Sequence, residues 1–129
     1  AYMYTDAVIA PDDHARWLTA ALADARRRYW IIEMDGAPVG LANLYDNDRL
    51  NSRCSWAYYL ADPSVRGKSI GAVVEVMVLD IVFGQLGLTK LWCEVLATNE
   101  AVIRLHQKFG FQQEALLRNH IIKGGERHD

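Results

Sequence analysis

With 129 residues the chain is the size of one domain, able to bury roughly two thirds of its unfolded surface without a disulfide or metal staple. A formal charge of −2 excludes a generic nucleic-acid binder, which needs a broad positive field to neutralise phosphates. Cys54 and Cys93 stand singly in apolar runs and read as reduced core thiols. The opening Ala1-Tyr2-Met3-Tyr4-Thr5 has no basic, then apolar, leader pattern, and no uncharged apolar run reaches the ~18 residues a membrane span requires. A cytoplasmic protein with no membrane partner is expected.

In chain order, Pro11 marks a helix start and Asp12 or Asp13 its cap. Ala15, Leu18, Leu22 and Ala25 form a helical stripe that carries the helix to about Arg27, where Arg26-Arg27-Arg28 suits a C-terminal end. Tyr29 to Met34 reads as a strand, Asp35-Gly36 as a hairpin turn, Val39 to Tyr45 as the partner strand, and Asp46-Asn47-Asp48 as the closing loop. Arg53 to Ala61 is a third strand. A helix follows from Ile70 to about Gln85, with Ile70, Val73, Val74, Met77, Val78, Ile81 and Val82 on its apolar face and Gly87 as its cap. Thr89 to Leu96 reads as a strand and Asn99 to about Lys108 as a short helix carrying Val102, Leu105 and Phe109. Phe111–Leu117 and Asn119–Lys123 read as further strand segments before a Gly124-Gly125 turn. The expected architecture is α/β: a mixed, mainly antiparallel twisted sheet with helices on both faces, in a single domain over residues 1–129.

The stretch that organises this order is Asp62-Pro63-Ser64-Val65-Arg66-Gly67-Lys68-Ser69-Ile70-Gly71, a turn between the third strand and the long helix. Several backbone N–H groups converge at such a helix start, with the positive end of the helix dipole behind them, and the spot suits a phosphate. Gly67 and Gly71 permit close approach, while Arg66 and Lys68 add positive charge. A tight connection without a ligand is the simpler alternative. No G-x-x-x-x-G-K-[ST] and no G-x-G-x-x-G with a later ribose acid is present, so nucleotide loops of those two kinds are not supported.

Arg66-Gly67-Lys68-Ser69-Ile70-Gly71 resembles the R-G-x-G-x-G pyrophosphate loop of the GNAT acyltransferase superfamily, with Ser69 where that family usually has Gly. The resemblance extends through Leu91-Trp92-Cys93-Glu94-Val95-Leu96, Asn99 and Ile103-Arg104-Leu105-His106-Gln107-Lys108-Phe109-Gly110-Phe111. It implies the GNAT fold, with the opening strand and helix missing and the last strand in question, and acetyl-CoA as cosubstrate. It also implies binding of acetyl-CoA through the segment from Val65 to Gly71, with Asn99 on the pantetheine arm and Arg104 and Lys108 near a CoA phosphate. A backbone N–H in the Leu60–Ala61 region, where GNAT strands splay, becomes the oxyanion donor. Glu94 matches the general base of ribosomal-protein alanine acetyltransferases; its alternative is a buried, hydrogen-bonded sheet carboxylate. His106 stands where many relatives carry the Tyr that protonates the thiolate; its alternative is a solvated helix residue. Asn99 is equally an ordinary helix cap. The remaining histidines, His14, His120 and His128, show no metal-ligand spacing.

Several short stretches, among them His14-Ala15-Arg16-Trp17, Arg28-Tyr29-Trp30, Asp35–Gly40 and Leu117–Lys123, are similar to the pseudaminic-acid pathway acetyltransferases. That likeness implies a UDP-linked 4-amino-dideoxy sugar as acceptor and makes His14, Trp17 and Trp30 candidate substrate contacts, each with packing as its alternative. The leading expectation is direct acetyl transfer to a primary amine: a base for the amine proton, a donor for the oxyanion and an acid for the leaving thiolate. A ribosomal-protein or peptide amine acetyltransferase and a non-catalytic acyl-CoA-binding module are the alternatives. A sheet edge left open by an absent first strand invites pairing, so a homodimer is a further expectation.

Overall fold

The computed structural model describes residues 8–65 and 67–129. It contains two compact units, one comprising residues 15–93 and the other residues 94–129 with the described segment up to His14.

The larger unit is a four-stranded sheet in the order β1-β2-β3-β4, with β1 Arg28–Met34, β2 Ala37–Asp48, β3 Arg53–Leu60 and β4 Lys90–Trp92. The first three strands form an antiparallel meander, while β4 pairs with β3 in parallel. The β1–β2 turn is Asp35-Gly36, with φ +52° and +77°. Two consecutive positive φ values are the type I′ signature that matches the twist of a hairpin, so this connection is as expected. The strands alternate their side chains between two faces. Cross-strand partners share a face, which places Trp30, Ala42 and Tyr58 with Leu44 and Trp56 on face A, and Tyr29, Asn43 and Ala57 with Ile31, Leu41 and Tyr59 on face B.

Face A carries the core. Leu44 and Trp56 are each 1% exposed, and Ala42 and Cys54 are buried beside them. Helix α2, Ile70–Leu79, supplies Val74 and Val78 to the core, and Val82 follows from a π-helical turn over Asp80–Gln85. Gly87 ends this segment at φ +63°, the cap conformation expected of it. The buried face differs from the expected one. Val73 and Met77 are exposed, and the fully buried Glu75 takes a place in the core instead. Apolar residues occupy almost every position of α2, so periodicity alone left the orientation of the helix open; packing on the sheet chose it.

On face B, helix α1, Pro11–Ala23, sets Trp17 edge-on against Tyr29 with ring centroids 6.2 Å apart. The helix ends at Ala23 rather than Arg27. Asp24 accepts hydrogen bonds from the backbone and guanidinium of Arg26, and Arg28 already belongs to β1, so the basic cluster is a turn and not a helix end. An Asp that bonds the backbone two residues on competes with helix continuation. Asp46–Asp48 extend β2 past an irregularity in register instead of forming a loop.

The smaller unit holds helix α3, Glu100–Lys108, and a hairpin of β5, Ile121–Lys123, with β6, Glu126–His128, across the expected Gly124-Gly125 turn. Phe111–Leu117 forms no strand, and only Lys90–Trp92 of the strand expected over Thr89–Leu96 is paired. Thr89–Leu96 is largely apolar without strict alternation, and Phe111–Leu117 is broken by Gln112-Gln113-Glu114, so neither carries the period-two pattern that marks a strand.

Candidate active site

The turn after β3 is built by local bonds. The Ser64 N–H donates to Asp62 Oδ1 at 2.8 Å, the Val65 N–H to the Asp62 carbonyl at 3.4 Å, and the Lys68 N–H to the Val65 carbonyl at 3.2 Å. Val65, 1% exposed, pins this turn to the core. The Ser64 bonds, helped by the charge of Lys68, hold the Asp62 carboxyl below the usual carboxylate range.

Gly67 and Ser69 both lie in the left-handed region, at φ +79° and +59°. Only glycine enters that region without a steric cost of about 1–2 kcal/mol. Ser69, where the expected motif usually carries glycine, therefore stands in a conformation that favours glycine. It makes no side-chain cap bond, and the first helical bond is from the Val73 N–H to the Ser69 carbonyl at 3.2 Å. The Ile70, Gly71 and Ala72 amides thus open α2 without a cap from Ser69, the arrangement that receives an anion. Lys68 is exposed beside them. Arg66, expected in this loop, lies outside the described residues, and the Lys68 amide is already committed to Val65.

At the end of β3 the Ala61 and Asp62 N–H groups both donate to the Val39 carbonyl, at 2.8 and 3.3 Å. Antiparallel strands alternate the edge to which their amides point, so Ala61 is turned to β2 and Leu60 to the side of β4. The β3–β4 pairing stops at Ser55 with Trp92, and among the described residues Trp56 to Leu60 runs on without a strand on that side. Of the two amides expected at the splay, Leu60 is the one on the open edge. Gly40 lies opposite Leu60, and a Cβ built there would run into the Tyr59 carbonyl oxygen, so only glycine permits this approach of β2 to β3.

In the smaller unit Asn99 precedes α3 at φ −89°, ψ 58° and makes no side-chain cap bond; its backbone carbonyl accepts from Val102 and Ile103. The capping alternative for its side chain is not what the structure contains. His106, 7% exposed, packs on Phe111 with centroids 5.1 Å apart, so it is not a solvated helix residue. Glu94 is exposed and lies outside any strand, which removes the buried sheet carboxylate. Arg104 is engaged with Glu100 at 2.8 Å, one helical turn away, and Lys108 is exposed in the last turn.

Trp17 and Trp30 sit on opposite faces of the sheet, Trp17 against Tyr29 on face B and Trp30 beside Ala42 on face A. His14 is exposed on α1. Glu75 was not singled out from the sequence; a lone Glu in an apolar helix offers no signal beyond its position. Burial and the Glu75 charge together push the Tyr58 phenol up. Among the described residues no group of three or more His, Cys, Asp or Glu side chains is placed to hold a metal, and no helix is long and apolar enough to cross a membrane.

Residues 1–112 match the family model of the acetyltransferase (GNAT) domain. The chain is 35% identical over 115 residues to an uncharacterized SPbeta prophage-derived N-acetyltransferase of Bacillus subtilis (strain 168), covering 88% of this chain and 63% of that protein. It is 27% identical over 103 residues to the spermidine N(1)-acetyltransferase of Escherichia coli (strain K12), covering 80% of this chain and 55% of that one. The chain thus spans less than two thirds of the length of either curated relative. Among solved structures, the spermidine N-acetyltransferase of Vibrio cholerae in complex with CoA and spermine superposes with a TM-score of 0.91 at 19% identity, over 99% of this chain and 76% of that one. A dodecameric structure of the same Vibrio cholerae enzyme gives 0.85 at 20% identity, over 100% and 75%.

Proposed function

The chain belongs to the GNAT acetyltransferase family, a family of acyltransferases that use acetyl-CoA, and from that premise we propose that residues 1–129 act as one N-acetyltransferase domain on a primary amine of a small molecule. The single observation that carries the reading is the uncapped start of α2 behind two left-handed residues, Gly67 and Ser69. That geometry fits a pyrophosphate, which would receive the first-turn amides with Lys68 alongside.

Acetyl-CoA supplies the activated acetyl group. The chain's own residues supply positioning and proton traffic. The Leu60 N–H, on the open edge of β3, is the donor for the developing oxyanion. Asn99, with a side chain not spent on capping, holds the pantetheine arm. Glu94 takes the amine proton through water as the N–C bond forms, and His106 delivers a proton to the thiolate as the C–S bond breaks. The roles of Arg104 and Lys108 at a CoA phosphate belong to the same proposal, with Lys108 the better placed because Arg104 is paired with Glu100.

The relatives named for spermidine favour a polyamine as the acceptor, and none of the relatives described above is named for a nucleotide sugar. A peptide amine has the Glu94 match behind it, and a non-catalytic acyl-CoA-binding module has the two off-pattern residues, Ser69 and His106. Cytoplasmic placement and self-association are part of the proposal; the dodecamer is a property of the Vibrio cholerae enzyme.

A thiol-release assay with acetyl-CoA and an amine panel tests the enzyme. His106→Ala is expected to lower kcat by about 10²-fold with KM for acetyl-CoA nearly unchanged, and His106→Tyr to retain activity with its alkaline limb moved upward. An unchanged kcat in His106→Ala removes His106 as the acid.

A further inference from the structure

Ser69 stands at the start of α2 at φ +59° and ψ +13°, in the left-handed region. A serine at that place ordinarily takes an extended φ, and its oxygen caps a first-turn amide of the helix. Ser69 makes no side-chain cap bond, and it is exposed. Neither a bond to the helix nor burial therefore offsets the steric cost of its φ. Strain kept at an exposed position, without return from the fold, points to a use outside the fold.

The neighbouring groups say what that use is. Because Ser69 does not cap, the Ile70, Gly71 and Ala72 amides stay open where an ordinary serine cap would close one of them. The charge beside them is shared. Lys68 is exposed, and the Asp62 carboxyl is held below the usual carboxylate range by its bonds from Ser64 and, to a lesser degree, by the charge of Lys68. Asp62 is thus ionised at neutral pH and offsets part of the Lys68 charge. The Lys68 amide is also committed, to the Val65 carbonyl at 3.2 Å. Lys68 accordingly brings to the loop a shared charge and no amide. A neutral O–H donor next to the open amides is the group that an anionic diphosphate would still use, and a hydrogen bond to a charged acceptor is among the stronger ones.

We infer that the Ser69 hydroxyl is itself a ligand of the CoA diphosphate, donating to one of its oxygens beside the first-turn amides of α2, at the expense of stability in the free chain. The inference rests on the acetyltransferase reading, which supplies the diphosphate. Under it Ser69 is more than a tolerated stand-in for glycine, because it strengthens the hold on CoA.

Two probes on the whole chain test this in calorimetry: CoA, and dephospho-CoA, which keeps the diphosphate and lacks the ribose 3′-phosphate. Urea unfolding without ligand is measured beside them. Ser69→Ala keeps the Cβ and removes the hydroxyl. It is expected to raise Kd about tenfold, by the same factor for both probes, with the urea midpoint unchanged. Ser69→Gly removes the hydroxyl and the Cβ together, so a similar rise in Kd should come with a higher urea midpoint. An unchanged Kd in Ser69→Ala overturns the inference. So does a loss confined to CoA, which would move the hydroxyl to the 3′-phosphate, or a lower urea midpoint in Ser69→Ala, which would give the hydroxyl to the fold. A Ser69→Gly variant no more stable than the unsubstituted chain overturns the stability half. An unsubstituted chain that binds neither probe sinks the acetyltransferase reading instead, and the urea midpoint of Ser69→Gly then still decides whether Ser69 strains the free chain.

Discussion

The two faces of the four-stranded sheet are made from the same three antiparallel strands, yet they do opposite work. Face A is closed: Leu44 and Trp56 are almost wholly buried, with Val74, Val78 and Val82 from the α2 segment in the same core. Face B is half open, touched by α1 through Trp17 and leaving Ile31 and Tyr59 largely in solvent. The difference teaches where each kind of residue is constrained. On face A a side chain is held by volume, and a loss there is a loss of folding free energy. On face B Tyr29 is held by Trp17 and Arg27, and Ser55 is buried with its hydroxyl donating to the Trp92 carbonyl, while Ile31 and Tyr59 stand in solvent and are held by less.

The sharpest test of that division is Trp56→Ala. Trp56 is 1% exposed and stacks on Tyr58 with centroids 5.5 Å apart, so the cavity should cost about 3–5 kcal/mol, read as the shift in a urea unfolding curve. The corresponding truncation on face B, Tyr59→Ala, should cost far less in the same measurement; equal losses would break the comparison.

Gly40→Ala comes next, because the new Cβ meets the Tyr59 carbonyl and β2 and β3 must part. A cost of about 1–3 kcal/mol is expected, together with weaker acetyl-CoA binding in calorimetry, since Leu60 lies opposite Gly40. A variant that loses stability but keeps its affinity would separate the strand spacing from the open edge.

Smaller is the alkaline limb of face A. Burial first, and the charge of Glu75 second, raise the Tyr58 phenol, and burial raises the Cys54 thiol. A raised folded-state pKa means that the stabilisation is complete below the unfolded value, 10.0 for Tyr58, and is lost as pH rises through the folded one. Stability should therefore fall above pH 10, and Tyr58→Phe should flatten that fall. An identical slope in the variant would show that Tyr58 does not report on the buried face.

The smallest effect belongs to the face B end. The hydrogen bond from the Arg26 side chain, with further help from its backbone and from Arg27, lowers Asp24 from 3.8 to about 2. A depressed pKa means that the stabilisation is present above 3.8 and is lost as pH falls through about 2. Asp24→Asn should remove only that slight acid dependence from the unfolding midpoint, in keeping with an exposed pair.

Much of this was legible in the residues because local chemistry dictates it. Asp35-Gly36 can be read as a hairpin turn because a type I′ turn needs two residues that tolerate positive φ. Gly87 ends its helix segment for the same reason, and in the loop before α2 the position where the resembled motif usually carries glycine, Ser69, takes a positive φ. These are properties of a few consecutive residues, and the chain carries them wherever it goes.

What the sequence could not decide is which neighbour each residue meets. The rotation of α2 that buries Glu75 and exposes Val73 and Met77 follows from packing on the sheet, because the helix is apolar nearly all round and no single stripe dominates. Trp17 and Trp30 look alike as exposed-or-packed aromatics in sequence, but one strand's alternation sends Tyr29 and Trp30 to opposite faces, and with them any shared ligand role. His106 reads as a thiolate acid or as a solvated helix residue, and its burial, at 7% exposure, removes the second. Turn types and helix ends are set by interactions that span a few bonds of chain; facing and burial are set by contacts between residues far apart in sequence, and only the tertiary structure brings those together.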